Sequence, residues 1–205
     1  MMKTLKKLSV TVFMMFLATM VLTSCKKEAK KEVAKFSVEP QTITVNWTGY
    51  KTTDKIAVTG KFEEVKVTNT KEGETALEAL NGIEFDIPVI SLASGDNERD
   101  GKLKELFFAV MEATSSLTGT LNLNDNGTGA IKLTMNGVTK DIPVTYVISS
   151  QLVEIEGSMI LDDWNAQSAL ESLAKACFDQ HKGPDGVSKT WNEVGVKAAI
   201  YLKKK

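Results

Sequence analysis

Few residues of this 205-residue chain are equipped for chemistry. There is one histidine, His181, two cysteines, Cys25 and Cys177, and two adjacent acidic pairs, Glu63-Glu64 and Asp162-Asp163. A catalytic nucleophile needs a base within reach, and a zinc site needs several clustered ligands. The sequence contains no HExxH, CxxC, GxSxG or P-loop, so metal, triad and nucleotide chemistry lack their parts. Glu63 and Glu64 fall in a strand pattern, where neighbours point to opposite faces, and read as solvent charges. Asp162-Asp163 reads as a helix start. His181 stands at the end of a helical pattern before Gly183-Pro184 and reads as a cation capping the helix dipole. The chain is not expected to be an enzyme, and no cofactor is implied.

Cys25 has a different setting. Lys3, Lys6 and Lys7 precede an uncharged apolar run, Leu8 to Val21, which ends in Leu22-Thr23-Ser24-Cys25. This is the pattern of a secretion signal, and the run is short for a membrane span. Its last four residues resemble the lipobox of bacterial lipoproteins. The expectation is a signal peptide over residues 1–24 and a lipidated Cys25 followed by a charged linker to Glu39. A domain over 40–205 comes next, held to a membrane of the bacterial cell envelope, the outer membrane first, through acyl chains on Cys25. Cys177 is then the only thiol left, so core burial rather than a disulfide must stabilise the domain. From Phe36 onward 17 Lys and Arg stand against 24 Asp and Glu, a net charge of −7. That balance disfavours nucleic acid, which needs a basic face.

The elements come from alternation. Ile131, Leu133 and Met135 alternate with polar residues, Asn136-Gly137 supplies a type I′ turn, and Ile142, Val144 and Tyr146 resume the pattern. The two-residue turn sets Met135 opposite Val138, Leu133 opposite Lys140, Ile131 opposite Ile142, and Lys132 opposite Asp141. Lys140 breaks the apolar face, so it must reach out past the rim, or a bulge must turn it. Further strands are expected over Ile43–Lys51, over Ile56–Phe62 running on through Val67 after a bulge at Glu63-Glu64, and over Ile83–Leu92 with a break at Pro88. Leu117–Asn124, Gln151–Leu161 and Trp191–Lys203 complete the set. A short helix is expected over Thr75–Leu80. A longer one is capped by Asn97, with Leu103, Leu106, Phe107, Val110 and Met111 on its apolar face. A third runs from Trp164 to His181, with Ala166, Leu170, Leu173, Ala174, Cys177 and Phe178 inward.

The fold class is therefore mainly β, an eight-stranded antiparallel barrel with two longer helices. Eight strands close into a barrel just wide enough to hold a ligand. The aromatic and aliphatic content exceeds what a small barrel needs for filling.

Three segments resemble the YceI-like family of secreted bacterial proteins. Val45–Lys51 followed by Thr59-Gly60-Lys61-Phe62 looks like the opening strand pair with its G-x-F. Ser94–Leu103 through Phe107-Phe108 is similar to the R-D-x-x-L…F-F helix. Leu133–Lys140 resembles the L-x-x-x-G-V-T-K hairpin, and Ile155–Leu161 fits the next strand of the family pattern. Family members often carry a histidine before the G-x-F, where this chain has Ile56-Ala57-Val58. The resemblance implies a lipocalin-like barrel that sequesters a polyisoprenoid or similar apolar lipid. The wall positions then expected to touch it are Trp47, Phe85, Phe107, Phe108, Leu121, Leu133, Met135, Val144, Tyr146 and Met159. Arg99 and Asp100 are expected to fix the helix start. The alternative is a structural or partner-binding envelope domain with a packed, ligand-free core; a homodimer stays open.

Overall fold

A computed structural model describes residues 35–205. The signal segment, Cys25 and most of the charged linker lie outside the described residues. One antiparallel sheet dominates. Its strands are β1 (Phe36–Val38), β2 (Thr44–Lys51), β3 (Ile56–Phe62), β4 (Lys66–Thr68), β5 (Glu84–Pro88), β6 (Leu92–Ala93), β7 (Ser116–Leu123), β8 (Thr128–Met135), β9 (Val138–Ser149), β10 (Leu152–Ile160) and β11 (Glu193–Lys204). The helices are α1 (Ala76–Leu80), α2 (Asn97–Lys102) and α3 (Gln167–Ala176).

The order β4-β5-β7-β8-β9-β10-β11-β2-β3-β6 closes on itself, because its two ends belong to the same pair of broken staves. β3 runs on into β4, and β5 runs on into β6. Phe62 faces Leu92, Val67 faces Phe85, and between them Glu63 N donates to Ser91 O at 2.9 Å. Had the register run on, Lys66 would face Pro88; it faces Asp86. The surplus residues loop out as a 3-10 turn, Val89–Ser91, with Ile90 turned to solvent. Eight staves therefore close the barrel, with the breaks at Glu63-Glu64 and after Pro88 where the sequence places them.

The hairpin β8–β9 has the expected register throughout, from Met135↔Val138 to Ile131↔Ile142, with Lys132 opposite Asp141. Asn136 and Gly137 have φ of 52° and 68°, as a type I′ turn requires. Leu133 is buried and its partner Lys140 is exposed at the rim. Asn136 also acts as a clamp. Its Oδ1 accepts from Glu112 N at 2.7 Å, and its Nδ2 donates to Trp164 O at 2.9 Å and Asn165 O at 3.0 Å. Trp164, 1% exposed, donates from Nε1 to Leu133 O. The hairpin tip thus holds the helical segments to the upper end of the barrel.

Four local readings change. Phe36–Val38 is a strand paired with Leu202–Lys204, so the folded domain begins before Pro40 and the linker ends sooner than Glu39. Charged neighbours hide a three-residue strand whose apolar residues are only Phe36 and Val38. The cap of α2 is Asp96, whose Oδ1 accepts from Arg99 N at 3.0 Å, rather than Asn97. After Lys102 the helix widens into a π turn, Leu103–Phe107, and tightens into 3-10 over Phe108–Val110. A π turn adds a residue and rotates the next turn of the chain about the axis. Phe108 is therefore buried, and Val110, expected inside, is 48% exposed. Finally, Leu161–Trp164 is a 3-10 turn and Asn165 is left-handed, so α3 starts at Gln167 and ends at Ala176. Phe178 lies beyond it and is 53% exposed.

The lower end is plugged. β1, α1 and the bridge between Phe36 and Gly73 cover it, with Leu80, Val153 and Leu202 wholly buried. Both Lys35 and Lys205 lie there, each backbone N–H donating to the other's carbonyl. The staves, the plug and the core all belong to one compact unit. Asn136→Ala removes three side-chain hydrogen bonds at a positive-φ site. It should cost about 2–4 kcal/mol of stability at roughly 1 kcal/mol per bond, read as a lower urea midpoint at unchanged m value.

Candidate functional site

The barrel encloses an apolar cavity of about 420 Å³. Its wall carries inward residues of every stave, among them Val45 and Trp47 of β2, Phe62 of β3, Phe85 and Ile87 of β5, Leu117 and Leu121 of β7, Ile131, Leu133 and Met135 of β8, Ile142 of β9, Ile155 and Met159 of β10, and Val196 and Ala198 of β11. Leu103, Phe107, Phe108, Leu170 and Leu173 form the roof. The Phe107 and Phe108 rings meet edge to face at 5.0 Å, an arrangement the π turn permits by bringing adjacent residues inward.

Inward glycines explain why so narrow a barrel stays hollow. Trp47 pairs with Gly60, and Phe85 pairs with Gly119. A Cβ at Gly60 would strike the Trp47 indole, and one at Gly119 would strike Lys132 O and stand 2.6 Å from Phe85 Cζ. The two large rings therefore lie flat over the neighbouring strand instead of crossing the lumen. The same device works at the lower end, where a Cβ at Gly157 would stand 2.8 Å from Val144 Cγ1.

Eight of the ten expected wall residues line the cavity: Trp47, Phe85, Phe107, Phe108, Leu121, Leu133, Met135 and Met159. Val144 and Tyr146 do not. Val144, 4% exposed, packs over Gly157, and Tyr146 donates its hydroxyl to Asn124 O in the β7–β8 turn. Alternation reads which face a residue takes and says nothing of what its side chain packs against there.

The polar mouth is what sequence reasoning missed. It gathers Lys51 at the end of β2, Asp96, Glu98, Arg99 and Lys102 around α2, and Gln180, His181, Thr190 and Trp191 after α3. Only Lys51 had a visible signal, since it continues the inward series Ile43, Val45, Trp47 and Gly49. The others come from distant segments and converge only when the barrel closes. Arg99, expected only to fix the helix start, also lines this mouth; Asp100 does fix the start, accepting from Ser94 N at 2.8 Å.

Most charges here are paired locally. Lys102 meets Glu98 at 2.7 Å, Arg99 meets Asp96 at 3.5 Å, and Lys51 Nζ donates to Gln180 O at 3.3 Å. The Arg99 backbone N–H holds the Asp96 carboxyl below the usual carboxylate range, and the bond from Glu98 raises Lys102. Burial pushes the Cys177 thiol up, which keeps it protonated and a poor nucleophile. Burial, reinforced by Lys51 and Lys102, pushes His181 down from 6.5. His181 is a half-buried ring whose Nδ1 shares a hydrogen bond with Thr190 Oγ1 at 2.6 Å, and its lowered pKa disfavours the capping cation expected. Among the described residues no three His, Cys, Asp or Glu side chains are grouped to hold a metal, and no helix is long and apolar enough to cross a membrane.

Known proteins share this architecture. Residues 36–200 match the family model described as YceI-like domain. Among solved structures, the chain is similar to a polyisoprenoid binding domain from Saccharophagus degradans implicated in plant cell wall breakdown. That match has 14% identity and a TM-score of 0.59, and covers 83% of this chain and 98% of that one. It is also similar to BcnA of Burkholderia cenocepacia, at 14% identity and a TM-score of 0.53, over 82% of this chain and 99% of that one. At this identity the likeness concerns the fold. No curated protein matches the sequence.

His181 gives a pH prediction. Its folded pKa lies below its unfolded value, so its neutral form supports the fold above about pH 6.5 and that support is lost as pH falls through the folded pKa. His181→Gln should flatten the fall in urea midpoint on the acid side of pH 6.5 relative to the parent.

Proposed function

The chain belongs to the YceI-like domain family, and we propose that its cavity holds a long apolar lipid of the polyisoprenoid type, as a carrier or sequestering module at the bacterial envelope. The observation that carries this is the cavity itself, lined mainly by apolar side chains, with most of its polar ones gathered at the mouth. An extended isoprenoid chain asks for that shape. Each ~100 Å² of its surface removed from water contributes about 2.5 kcal/mol, with few polar contacts needed. The polyisoprenoid binding of the Saccharophagus degradans domain, which shares the fold, supports the assignment of ligand class.

The wall then acts as a gauge of width, set by Trp47 and Phe85 lying over their glycines. The plug, with Leu80, Val153 and Leu202, sets the depth. No step of chemistry is needed. The acidic groups of the mouth are paired locally, Asp96 with Arg99 and Glu98 with Lys102, so an apolar chain passes no unpaired carboxylate there.

The anchor is part of the same proposal. Acylation of Cys25 would hold the domain to a membrane through more than one chain, which gives firm attachment. Cys25→Ser should release the protein from the membrane fraction into the soluble one. Continued membrane attachment of that variant would sink the lipobox reading.

Mass spectrometry of an organic extract tests the ligand. The chain from Lys26 on, purified and extracted under denaturing conditions, should yield an isoprenoid lipid in near-stoichiometric amount. Ala198→Trp, which fills the lumen from β11, should lower the extracted lipid by about tenfold, equivalent to some 1.4 kcal/mol of binding, without lowering the thermal midpoint. A dry extract, with no thermal shift on adding isoprenoid lipid, favours the ligand-free alternative.

A further inference from the structure

The cavity opens between α2 and a lobe built from two segments, the β2–β3 turn and the chain after α3. The two are tied together. Thr52 N donates to Lys189 O at 2.8 Å, Thr53 Oγ1 donates to Asp185 Oδ2 at 2.8 Å, and Trp191 Nε1 donates to Thr52 O at 2.8 Å. Three large apolar side chains on this lobe stand in water: Ile56 at 48%, Phe178 at 53% and Val187 at 51% exposed. Lys182 Nζ sits 5.0 Å from the Phe178 ring, and Lys55 and Lys189 sit 5.0 and 3.6 Å from the Trp191 ring. Aromatic bodies with lysine stems folded over them are the arrangement that suits a lipid–water interface, where the rings enter and the ammonium groups stay wet.

Charge separates this lobe from the rest of the surface. Residues 51–56 and 178–193 together hold four lysines and four acidic residues, a net charge of zero, whereas the chain from Phe36 carries −7. The mouth is therefore a part of an acidic protein that a bilayer surface does not repel. Lys35 lies at the plugged end, beside Lys205.

We propose that this lobe is the docking surface for a lipid bilayer, with Phe178, Val187 and Ile56 entering the interface and placing the cavity mouth against the membrane. The occupant is a zwitterionic lipid surface, since the lobe offers apolar area without excess cationic charge. This rests on the cavity taking a lipid, because a mouth that exchanges an apolar chain with a bilayer gains by keeping that chain out of water during transfer.

Flotation with vesicles tests it. The chain from Lys26 on should float with phosphatidylcholine vesicles, to the same extent in low and high salt. The double variant Phe178→Asp, Val187→Asp should reduce the bound fraction by about tenfold or more. Val147→Asp, which alters a 63%-exposed residue on β9 away from the mouth, should leave it unchanged. The proposal is overturned if the parent does not float, if it floats only once phosphatidylglycerol is added and detaches in salt, or if both sets of variants behave alike. Extracted lipid without flotation removes the docking surface alone. Flotation with a dry extract removes the ligand assignment alone.

Discussion

The width of an eight-stave barrel governs everything else in this protein. Such a barrel is at the size where side chains can either fill the lumen or leave room for one small ligand. Which outcome holds is decided at the inward positions, and here glycine takes two of the critical ones. Gly60 and Gly119 give up their side chains so that the Trp47 and Phe85 rings can lie along the wall. The rings still bury their area, so the barrel loses little cohesion. The lumen keeps the width that two crossing aromatics would have taken. Filling it would need only a side chain at either position, and neither can accept one without displacing a ring or a backbone carbonyl.

Closure imposes the second constraint. The staves β3–β4 and β5–β6 cannot pair in one continuous register, and the surplus is discharged as the 3-10 turn at Val89–Ser91. The break brings Leu92 and Phe62 inward at the upper end of that seam, and leads the chain directly into the capped start of α2. The roof is therefore a consequence of how the barrel closes. Asn136 and Trp164 then fix it to the β8–β9 tip from the other side. The π turn fits the same logic. It stores an extra residue in the roof so that two neighbouring phenylalanines, rather than one, face the lumen.

The range of the forces involved decides how much of this was legible in the sequence. The β8–β9 register was legible because alternation and an Asn-Gly turn are local and over-determined. The breaks at Glu63-Glu64 and Pro88 were legible because a lapse in alternation and a proline each leave a mark in the strand that carries them. Val110 was misplaced because a period of 3.6 assumes a regular helix, and the π turn that shifts the phase is chosen by packing against the barrel. Val144 and Tyr146 do not line the cavity, because one packs over Gly157 and the other bonds to Asn124 O, contacts that period two does not encode. Lys102 and His181 were invisible as a pair. Nothing local links an α2 lysine to a ring nearly eighty residues later, and it is burial at a common mouth that lowers the His181 pKa, with Lys51 and Lys102 adding to it.

The two ends of the barrel divide the labour by the same physics. At the plugged end Leu80, Val153 and Leu202 are wholly buried. At the mouth the side chains are mixed, and Asp96, Glu98, Arg99 and Lys102 pair off among themselves within α2 and its cap. A self-paired rim neither attracts an anionic headgroup strongly nor requires one, and it leaves the apolar wall as the source of affinity. The termini obey that division. Lys35 and Lys205 pair with each other at the inert end, so neither of these backbone groups takes any part of the opening.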